Sequence, residues 1–256
     1  VEEHYRPAAF TESVERFPVA SAELLNDRAL LKRVDTKFIL GHIAFQNVLD
    51  DIRNDYALLI AEGASSARYK TLYFDTKDFL CVREHNRGRR PRHKIRIRHY
   101  LDRKLTFLEV KKKTNSDRTV KARKQIAFGQ EKLGTTELDF INEHNPIAAN
   151  DLIPSLRTDF QRVTLLGLES MERVTFDLDL CFSKAANDAN LPGAVIAEIK
   201  QDRFRSRSPV MLALRKGRVS PISISKYCTA ATLLLPSVRM HRYSAKVRSL
   251  RKAYHD

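Results

Sequence analysis

Basic side chains recur at every second position in one stretch of this sequence, residues 93–123. Within it, Lys94, Arg96 and Arg98 alternate with Ile95 and Ile97. Successive side chains of a β-strand point to opposite faces, so this run predicts a strand with one cationic face and one apolar face. Arg binds phosphate oxygens as a bidentate fork, and Lys binds them as a point charge. A polyanion is therefore one candidate ligand of this face.

A row of cations on one sheet face has three physical explanations, because like charges on neighbouring strands repel each other. The face is solvated, or carboxylates neutralise it, or it binds a polyanion. Repulsion also predicts that replacing Arg96 or Arg98 with Ala leaves the fold intact or more stable. The same alternation recurs elsewhere in the chain, which weakens the explanation by solvation alone. The segments are residues 33–38, 69–75, 107–113, 120–123, 160–164, 173–179 and 194–200.

These segments, together with residues 79–84, give about eight strand candidates, of which residues 93–123 form a three-stranded antiparallel meander. Apolar periodicity predicts helices at residues 42–54, 135–145, 208–216 and 225–235. If these helices cover the apolar strand faces from outside, the charged faces line the interior. We therefore predict an α+β fold, a closed antiparallel β-barrel (a tunnel) with a basic interior and helices packed on the outside. A barrel of about eight strands is wide enough to hold one small ligand.

The chain divides into three predicted regions. Residues 1–30 are predicted as a helical approach segment, 31–236 as the barrel domain, and 237–256 as a basic, solvated C-terminal tail or helix. The formal net charge of +15 implies an anionic partner: nucleic acid, a membrane surface or a phosphate-rich small molecule. The aromatic residues form no stacking series between the cations, which argues against specific nucleic-acid binding.

The cysteines and the hydropathy suggest a compartment. The three cysteines lie far apart, at positions 81, 181 and 228, which argues against a disulfide framework and for reducing conditions. No apolar run approaches the roughly 20 residues of a membrane span. The predicted location is therefore the cytoplasm. Asp75, Asp177 and Asp179 are candidate metal ligands or bases, but turn-forming and salt-bridging roles are favoured for them.

Nine short motifs occur in an order that resembles the VTC domain, the polyphosphate polymerase branch of the CYTH-like triphosphate tunnel metalloenzymes. Each motif alone is weakly specific, whereas nine in order are more so. Where other tunnel enzymes carry two glutamates and a lysine on the first strand, this chain has Arg33, Asp35 and Lys37. The motifs are residues 33–38, 69–76, 88–100, 107–111, 121–123, 159–162, 173–177, 198–200 and 225–227.

The resemblance implies a tunnel that holds a nucleoside triphosphate or polyphosphate. Arg123 and Tyr227 are implied as additional nucleotide contacts, together with Arg96, Arg98 and Lys111. Glu198 is implied as the ligand of a divalent metal, Mn²⁺ or Mg²⁺, since hard cations prefer carboxylate oxygens. The residues implied to contact phosphate and support catalysis are Lys37, Arg96, Arg98, Lys111, Lys121, Arg162, Lys200 and Lys226.

The reaction implied by the resemblance is polyphosphate synthesis, in which the end of a polyphosphate chain attacks the γ-phosphate of ATP. Phosphoryl transfer requires mainly positioning and neutralisation of charge, which a row of cations supplies. No Walker A loop is present, so the binding mode is not that of a P-loop protein. The alternatives are a metal-dependent triphosphatase and a non-catalytic module that binds polyphosphate or nucleotide.

Overall fold

The structure is a computed structural model that describes residues 8–28, 33–116 and 119–255. Part of the predicted approach segment, residues 1–7 and 29–30, lies outside these ranges. The strands are β1 Val34–Leu40, β2 Tyr56–Leu58, β3 Ala67–Asp75, β4 Arg92–Tyr100, β5 Leu105–Lys113, β6 Thr119–Ile126, β7 Ile153–Gly167, β8 Glu172–Lys184, β9 Asn187–Leu191 and β10 Val195–Gln201. The helices are α1 Ala8–Glu15, α2 Ala22–Asp27, α3 His42–Ile52, α4 Leu80–Arg87, α5 Thr135–His144, α6 Pro209–Lys216, α7 Lys226–Leu234 and α8 His241–His255.

All ten strands belong to one antiparallel sheet with the order β1-β10-β8-β7-β3-β4-β5-β6. Strand β2 pairs with β7, and β9 pairs with β8. The predicted meander is present as β4-β5-β6, and its register aligns Arg96 with Glu109 and Glu109 with Arg123. The predicted α+β class, with a large antiparallel sheet and surrounding helices, is therefore confirmed.

The predicted closure of the barrel is not confirmed. Within the described residues β1 and β6 are the two ends of the strand order and do not pair with each other. Nevertheless Thr36 of β1 and Thr119 of β6 line the same cavity. Both edge strands therefore border the same cavity. The sheet must be strongly curved to allow this, with a concave face and a gap between its two edges.

The convex face of the sheet is apolar and covered by helices, as the alternation predicts. Helices α3 and α6 pack over the β1, β10, β8 and β7 region, where Phe45 lies 4.9 Å from Phe176 between ring centroids. Ile141 of α5 joins a second cluster with Ile95 and Ile97. Burial of these side chains is the main stabilising contribution, roughly 25 cal/mol for each Å² of apolar surface removed from water.

Residues 79–84 were predicted as a returning strand, but Phe79 caps helix α4 and residues 80–84 belong to it. The Asp75 carboxylate accepts hydrogen bonds from the backbone N–H groups of Cys81 (2.8 Å) and Val82 (3.1 Å). These donors have no partner within the helix, so the carboxylate stabilises its first turn. The helix ends at Gly88, whose φ of 72° lies in the left-handed region that glycine adopts readily.

The basic C-terminal segment is a helix, α8, and only one of its faces is solvated. Tyr243, Val247, Leu250 and Ala253 are buried, and α8 contacts α7 and α4. The expectation of a basic, solvated tail or helix considered the charges and did not include this apolar stripe at helical spacing. Within the described residues, no helix is both long and apolar enough to cross a membrane.

Candidate functional site

The concave face of the sheet carries the predicted cations, and carboxylates stand opposite several of them. Strand register alone produces this arrangement, because residues paired across antiparallel strands point to the same face. Helix α7 approaches this face with its first turn. The cross-strand pairs of opposite charge include Lys37–Glu198, Arg162–Asp177 and Arg96–Glu109.

Glu198 lies between two lysines. Lys37 Nζ is 2.5 Å from Glu198 Oε1, and Lys200 Nζ is 2.8 Å from Glu198 Oε2. Burial alone would raise the pKa of Glu198, but Lys200 and Lys37 hold it well below its ordinary value. Glu198 is therefore ionised at neutral pH, and both of its oxygens already accept from ammonium groups.

Asp177 is held in the same way by Arg162 and Lys226. Arg162 forms a bidentate pair with it, at 2.5 Å from Nε to Oδ1 and 2.8 Å from Nη2 to Oδ2. Lys226, the first residue of α7, forms an ion pair with Oδ2. Burial would raise the pKa of Asp177, but Arg162 and Lys226 lower it to about 2. The salt-bridging role favoured from the sequence is the one observed.

Glu109 is the third such carboxylate, at 1% side-chain exposure. Arg96 Nη2 lies 2.6 Å from Glu109 Oε2, and Lys121 forms an ion pair with the other oxygen. Burial would raise the pKa of Glu109, whereas Arg96 and the neighbouring cations lower it to about 2. Three carboxylates therefore each bind two of the predicted phosphate ligands.

Arg98 has no carboxylate within ion-pair distance among the described residues. Its Nε donates to Thr71 Oγ1 at 3.1 Å. Its guanidinium carbon is 5.7 Å from the ring centroid of Tyr69 and 5.9 Å from that of Phe160. Burial, followed by repulsion from Arg96, lowers the pKa of Arg98. Arg98 therefore keeps its charge without a counter-ion, held by aromatic faces.

Lys94 and Lys111 also have no carboxylate partner in the described part of the chain. Lys94 Nζ donates to Ser225 Oγ at 2.9 Å, just before α7. Burial and neighbouring cations, Arg96 among them, lower the pKa of both lysines to about 8. Both lysines line a cavity of about 1030 Å³ between the two edges of the sheet. Its lining also includes Arg33, Asp35, Lys37, His85, Arg92, Lys113, Thr119 and Lys121.

The predicted site residues divide between this cavity and the interior of the concave face. Lys37, Lys111 and Lys121 line the large cavity, and Arg162 lines a smaller one of about 90 Å³. Charge interactions connect the two places. Repulsion from Arg96 lowers the pKa of Lys111, and repulsion from Arg162 lowers the pKa of Lys200. The remaining interior members are Arg96, Arg98, Lys200 and Lys226, which are bound to the carboxylates and aromatic rings described above.

The two additional nucleotide contacts lie in different surroundings. Arg123 is exposed on β6, with its guanidinium carbon 5.0 Å from the Phe107 ring centroid. Tyr227 is 1% exposed, stacks on Tyr73 at 4.4 Å and donates its hydroxyl hydrogen to Asp75 Oδ2 at 2.6 Å. Its hydroxyl is therefore committed to a buried carboxylate.

Several residues of the cavity lining were not among the predicted site residues, and Lys94 and His85 are two of them. Lys94 shares the alternation of Arg96 and Arg98, so the sequence contained its signal. His85 was not identified because residues 79–84 were read as a strand. Its imidazole lies in the cavity lining, and burial followed by Lys94 lowers its pKa, so it is neutral at neutral pH.

The described residues around the concave face offer a divalent cation isolated carboxylates and no cage of protein ligands. In the described ranges there is no cluster of three or more His, Cys, Asp or Glu side chains that could hold a metal. Mg²⁺ is commonly bound by one or two carboxylates together with substrate phosphates rather than by a protein cage. Glu198 is ionised at neutral pH, so it is the carboxylate that would supply the protein ligand in such a shared site.

Solved structures similar to this chain are proteins described as nucleotide cyclases or of unassigned function. A proposed adenylate cyclase from Bacillus halodurans has a TM-score of 0.49 and 12% identity, covering 75% of this chain and 93% of that one. A proposed adenylyl cyclase from Hippeastrum, reported to have a dominant triphosphatase activity, has a TM-score of 0.45 and 12% identity, with coverages of 80% and 98%. A conserved hypothetical protein from Pyrococcus furiosus has a TM-score of 0.38 and 14% identity, with coverages of 73% and 90%.

No curated protein sequence matches this chain. The family model of the VTC domain, by contrast, matches residues 32–235, which include the whole ten-stranded sheet and α7. This range also contains the three carboxylates and every predicted phosphate ligand. The family suggests dependence on a divalent metal. The chain belongs to the VTC domain family.

Proposed function

We propose that this protein is a metal-dependent phosphotransferase of the polyphosphate polymerase type. The P–O bond between the β- and γ-phosphates of ATP breaks, and a new P–O bond forms between the γ-phosphorus and a terminal oxygen of a polyphosphate chain. ADP leaves, and the chain is one phosphate longer. ATP and inorganic polyphosphate are the ligands in this proposal.

One observation carries the proposal: in the described part of the chain, at least nine cations share the concave face with four carboxylates, Asp35, Glu109, Asp177 and Glu198. Transfer of a phosphoryl group needs its reactants held in line and the charge on its oxygens neutralised. A row of fixed cations provides both along an extended anion. The cations are Lys37, Lys94, Arg96, Arg98, Lys111, Lys121, Arg162, Lys200 and Lys226.

Four members of this row have roles that follow from their surroundings. Arg98 and Lys111 lack a carboxylate partner, so phosphate oxygens supply their counter-charge. Glu198 would hold the metal, Mn²⁺ or Mg²⁺, and Lys37 and Lys200, which now bind Glu198, would then be available to phosphate oxygens. A bound divalent cation would withdraw charge from the phosphate oxygens. Arg123, near the exposed edge, contacts nucleotide in this proposal.

The test is to incubate the purified full chain with ATP and either Mn²⁺ or Mg²⁺ and to separate the products on a gel. Long polyphosphate chains that form together with ADP support the polymerase. ADP and phosphate without chains identify a triphosphatase, in which water attacks the γ-phosphate. Tight polyphosphate binding with no turnover under either metal identifies a binding module.

Two variants test whether the concave face is the active site. Arg98→Met removes a cation from the concave face, and we expect loss of chain synthesis. Lys252→Met removes an exposed cation from α8 and makes the same change of charge. Equal activity of the two variants would contradict the assignment of the concave face as the active site.

A further inference from the structure

A second cavity lies on the other side of helix α4, outside the concave face. Its volume is about 460 Å³, and its lining includes Lys77, Arg83, Arg87 and Arg239. Asp78 is the one carboxylate among its described lining residues, and it is paired with Arg83 at 2.6 Å. The lining of this cavity therefore carries a net positive charge.

The walls of this cavity are fixed by a buried side chain. Asn86 is 8% exposed, its Nδ2 donates to the backbone oxygen of Arg239 at 2.9 Å, and its Oδ1 accepts from the backbone N–H of Arg242 at 3.2 Å. These bonds tie the segment before α8 to α4. A cation in the last turn of a helix is favoured by the helix dipole, which explains Arg87. The dipole of α4 does not explain Arg239 or Lys77, which come from other segments.

Helix α4 separates this cavity from the large one. His85 faces the large cavity, while Arg83, Asn86 and Arg87 line the outer one. Arg92, four residues after the end of the helix at Gly88, again lines the large cavity. A helix with side chains is about 10–12 Å across, so the two cavities are separated by a barrier of about this thickness, around which a long anionic chain can pass.

We propose that the outer cavity binds a distal stretch of the same polyphosphate chain whose end lies on the concave face. The inference rests on the proposed function for its ligand. Tripolyphosphate is too short to span α4 from the large cavity, whereas a long chain reaches both places. Phe79, the aromatic residue of the outer cavity, already contacts Lys184, with its ring centroid 5.1 Å from Nζ. A nucleobase would need a free aromatic face for stacking, so polyphosphate is favoured over single-stranded nucleic acid.

The experiment compares two ligands on the full chain at one ionic strength. Affinities for tripolyphosphate and for long-chain polyphosphate are measured for the wild type and for the double variant Arg87→Gln/Arg239→Gln. Both side chains are exposed, so the variant is expected to fold. We expect the long-chain affinity to fall roughly tenfold or more, because hydrogen bonds to charged groups are strong. Tripolyphosphate affinity should stay within about twofold of the wild-type value, because the concave face is unchanged.

The matched control is Arg203→Gln/Arg207→Gln, which removes two exposed cations from the segment before α6. An equal loss in this control would show general attraction to a basic surface and overturn the proposal. An equal loss of single-stranded RNA affinity in the Arg87/Arg239 variant would also overturn it. Another outcome is that tripolyphosphate does not bind the wild type while long-chain binding still depends on Arg87 and Arg239. That result would support polyphosphate binding in the outer cavity and contradict the proposed function of the concave face.

Discussion

Two arginines on one face have pKa values shifted in opposite directions because their partners differ. Arg96 is bound to Glu109, a carboxylate at 1% exposure, and Glu109 raises the pKa of Arg96 although burial opposes this. Arg98, two residues further along β4, is repelled by Arg96 and has a lowered pKa. Repulsion alone, which the alternating pattern predicts for both arginines, describes Arg98 and not Arg96.

We expect Arg96→Met to lower the free energy of unfolding by about 3 kcal/mol, because removing one partner of a buried ion pair leaves the other charge uncompensated. Arg98→Met should leave it within about 1 kcal/mol of the wild-type value, because replacing an unpaired buried charge with an apolar side chain is often neutral or stabilising. Urea denaturation measures both. Both variants should lose affinity for tripolyphosphate.

Arg123→Met, on the exposed edge strand β6, is the control for the general effect of losing an arginine. Its stability should match that of the wild type within about 0.5 kcal/mol. Equal destabilisation by Arg96→Met and Arg98→Met would contradict the claim that the ion pair with Glu109 makes Arg96 the more stabilising of the two arginines.

Alternation predicted the face of nearly every charged residue, but not the partner of each one. Lys94, Arg96 and Arg98 all lie on the predicted face, since the side-chain period of a strand is two. The choice between Ser225, Glu109 and Thr71 as their partners depends on strand order and on where α7 docks. Neither can be obtained from the local sequence.

At the scale of elements, α7 reaches the concave face through a contact with the end of β3. The Tyr227 hydroxyl donates to Asp75, which also binds the first N–H groups of α4. One carboxylate therefore connects β3, α4 and α7. Because Lys226 directly precedes Tyr227, the same docking places Lys226 at the concave face. The sequence predicted α7 as a helix but gave no indication of this link.

Tyr227→Phe should lower the free energy of unfolding by about 1–3 kcal/mol, because a buried carboxylate loses a hydrogen-bond donor. Tripolyphosphate affinity should change by less than about threefold, since the ring still packs on Tyr73 and holds Lys226 in place. Denaturation and calorimetric titration give the two values. Tyr100→Phe, whose ring packs near Phe107 at 5.8 Å between centroids, is the control. A large loss of affinity with unchanged stability would instead indicate direct contact between Tyr227 and the ligand.

Helix α4 shows why one element was assigned wrongly. Leu80, Cys81 and Val82 are a short apolar run, which periodicity cannot assign to strand or helix. The Asp75 carboxylate decides in favour of the helix by binding its first N–H groups. A signal was present, because Asp75 and Thr76 precede the run and such residues favour helix starts.

At the scale of the molecule, the strands were predictable but the closure of the sheet was not. Eight of the ten strands were predicted from their alternation, whereas β2 and β9 were not, and the convex clusters show that the helices cover the apolar side. Closure depends on strand tilt and stagger accumulated over the whole sheet, which no single segment encodes. The gap between β1 and β6 contains the large cavity, lined by Lys37 from one edge and Lys121 from the other.

This geometry predicts that one polyphosphate connects the two sheet edges. Saturating tripolyphosphate should slow amide hydrogen exchange in both Val34–Leu40 and Thr119–Ile126, because Lys37 and Lys121 share a ligand that restrains two unpaired edges. Mass spectrometry of peptides measures this. Asn187–Leu191, which pairs only with β8, is the internal control and should be unaffected. In Lys121→Gln the protection of β6 should be lost while that of β1 remains, because Lys37 and Lys200 still hold the ligand there. Protection of β1 alone in the wild type would show that the ligand does not bridge the gap.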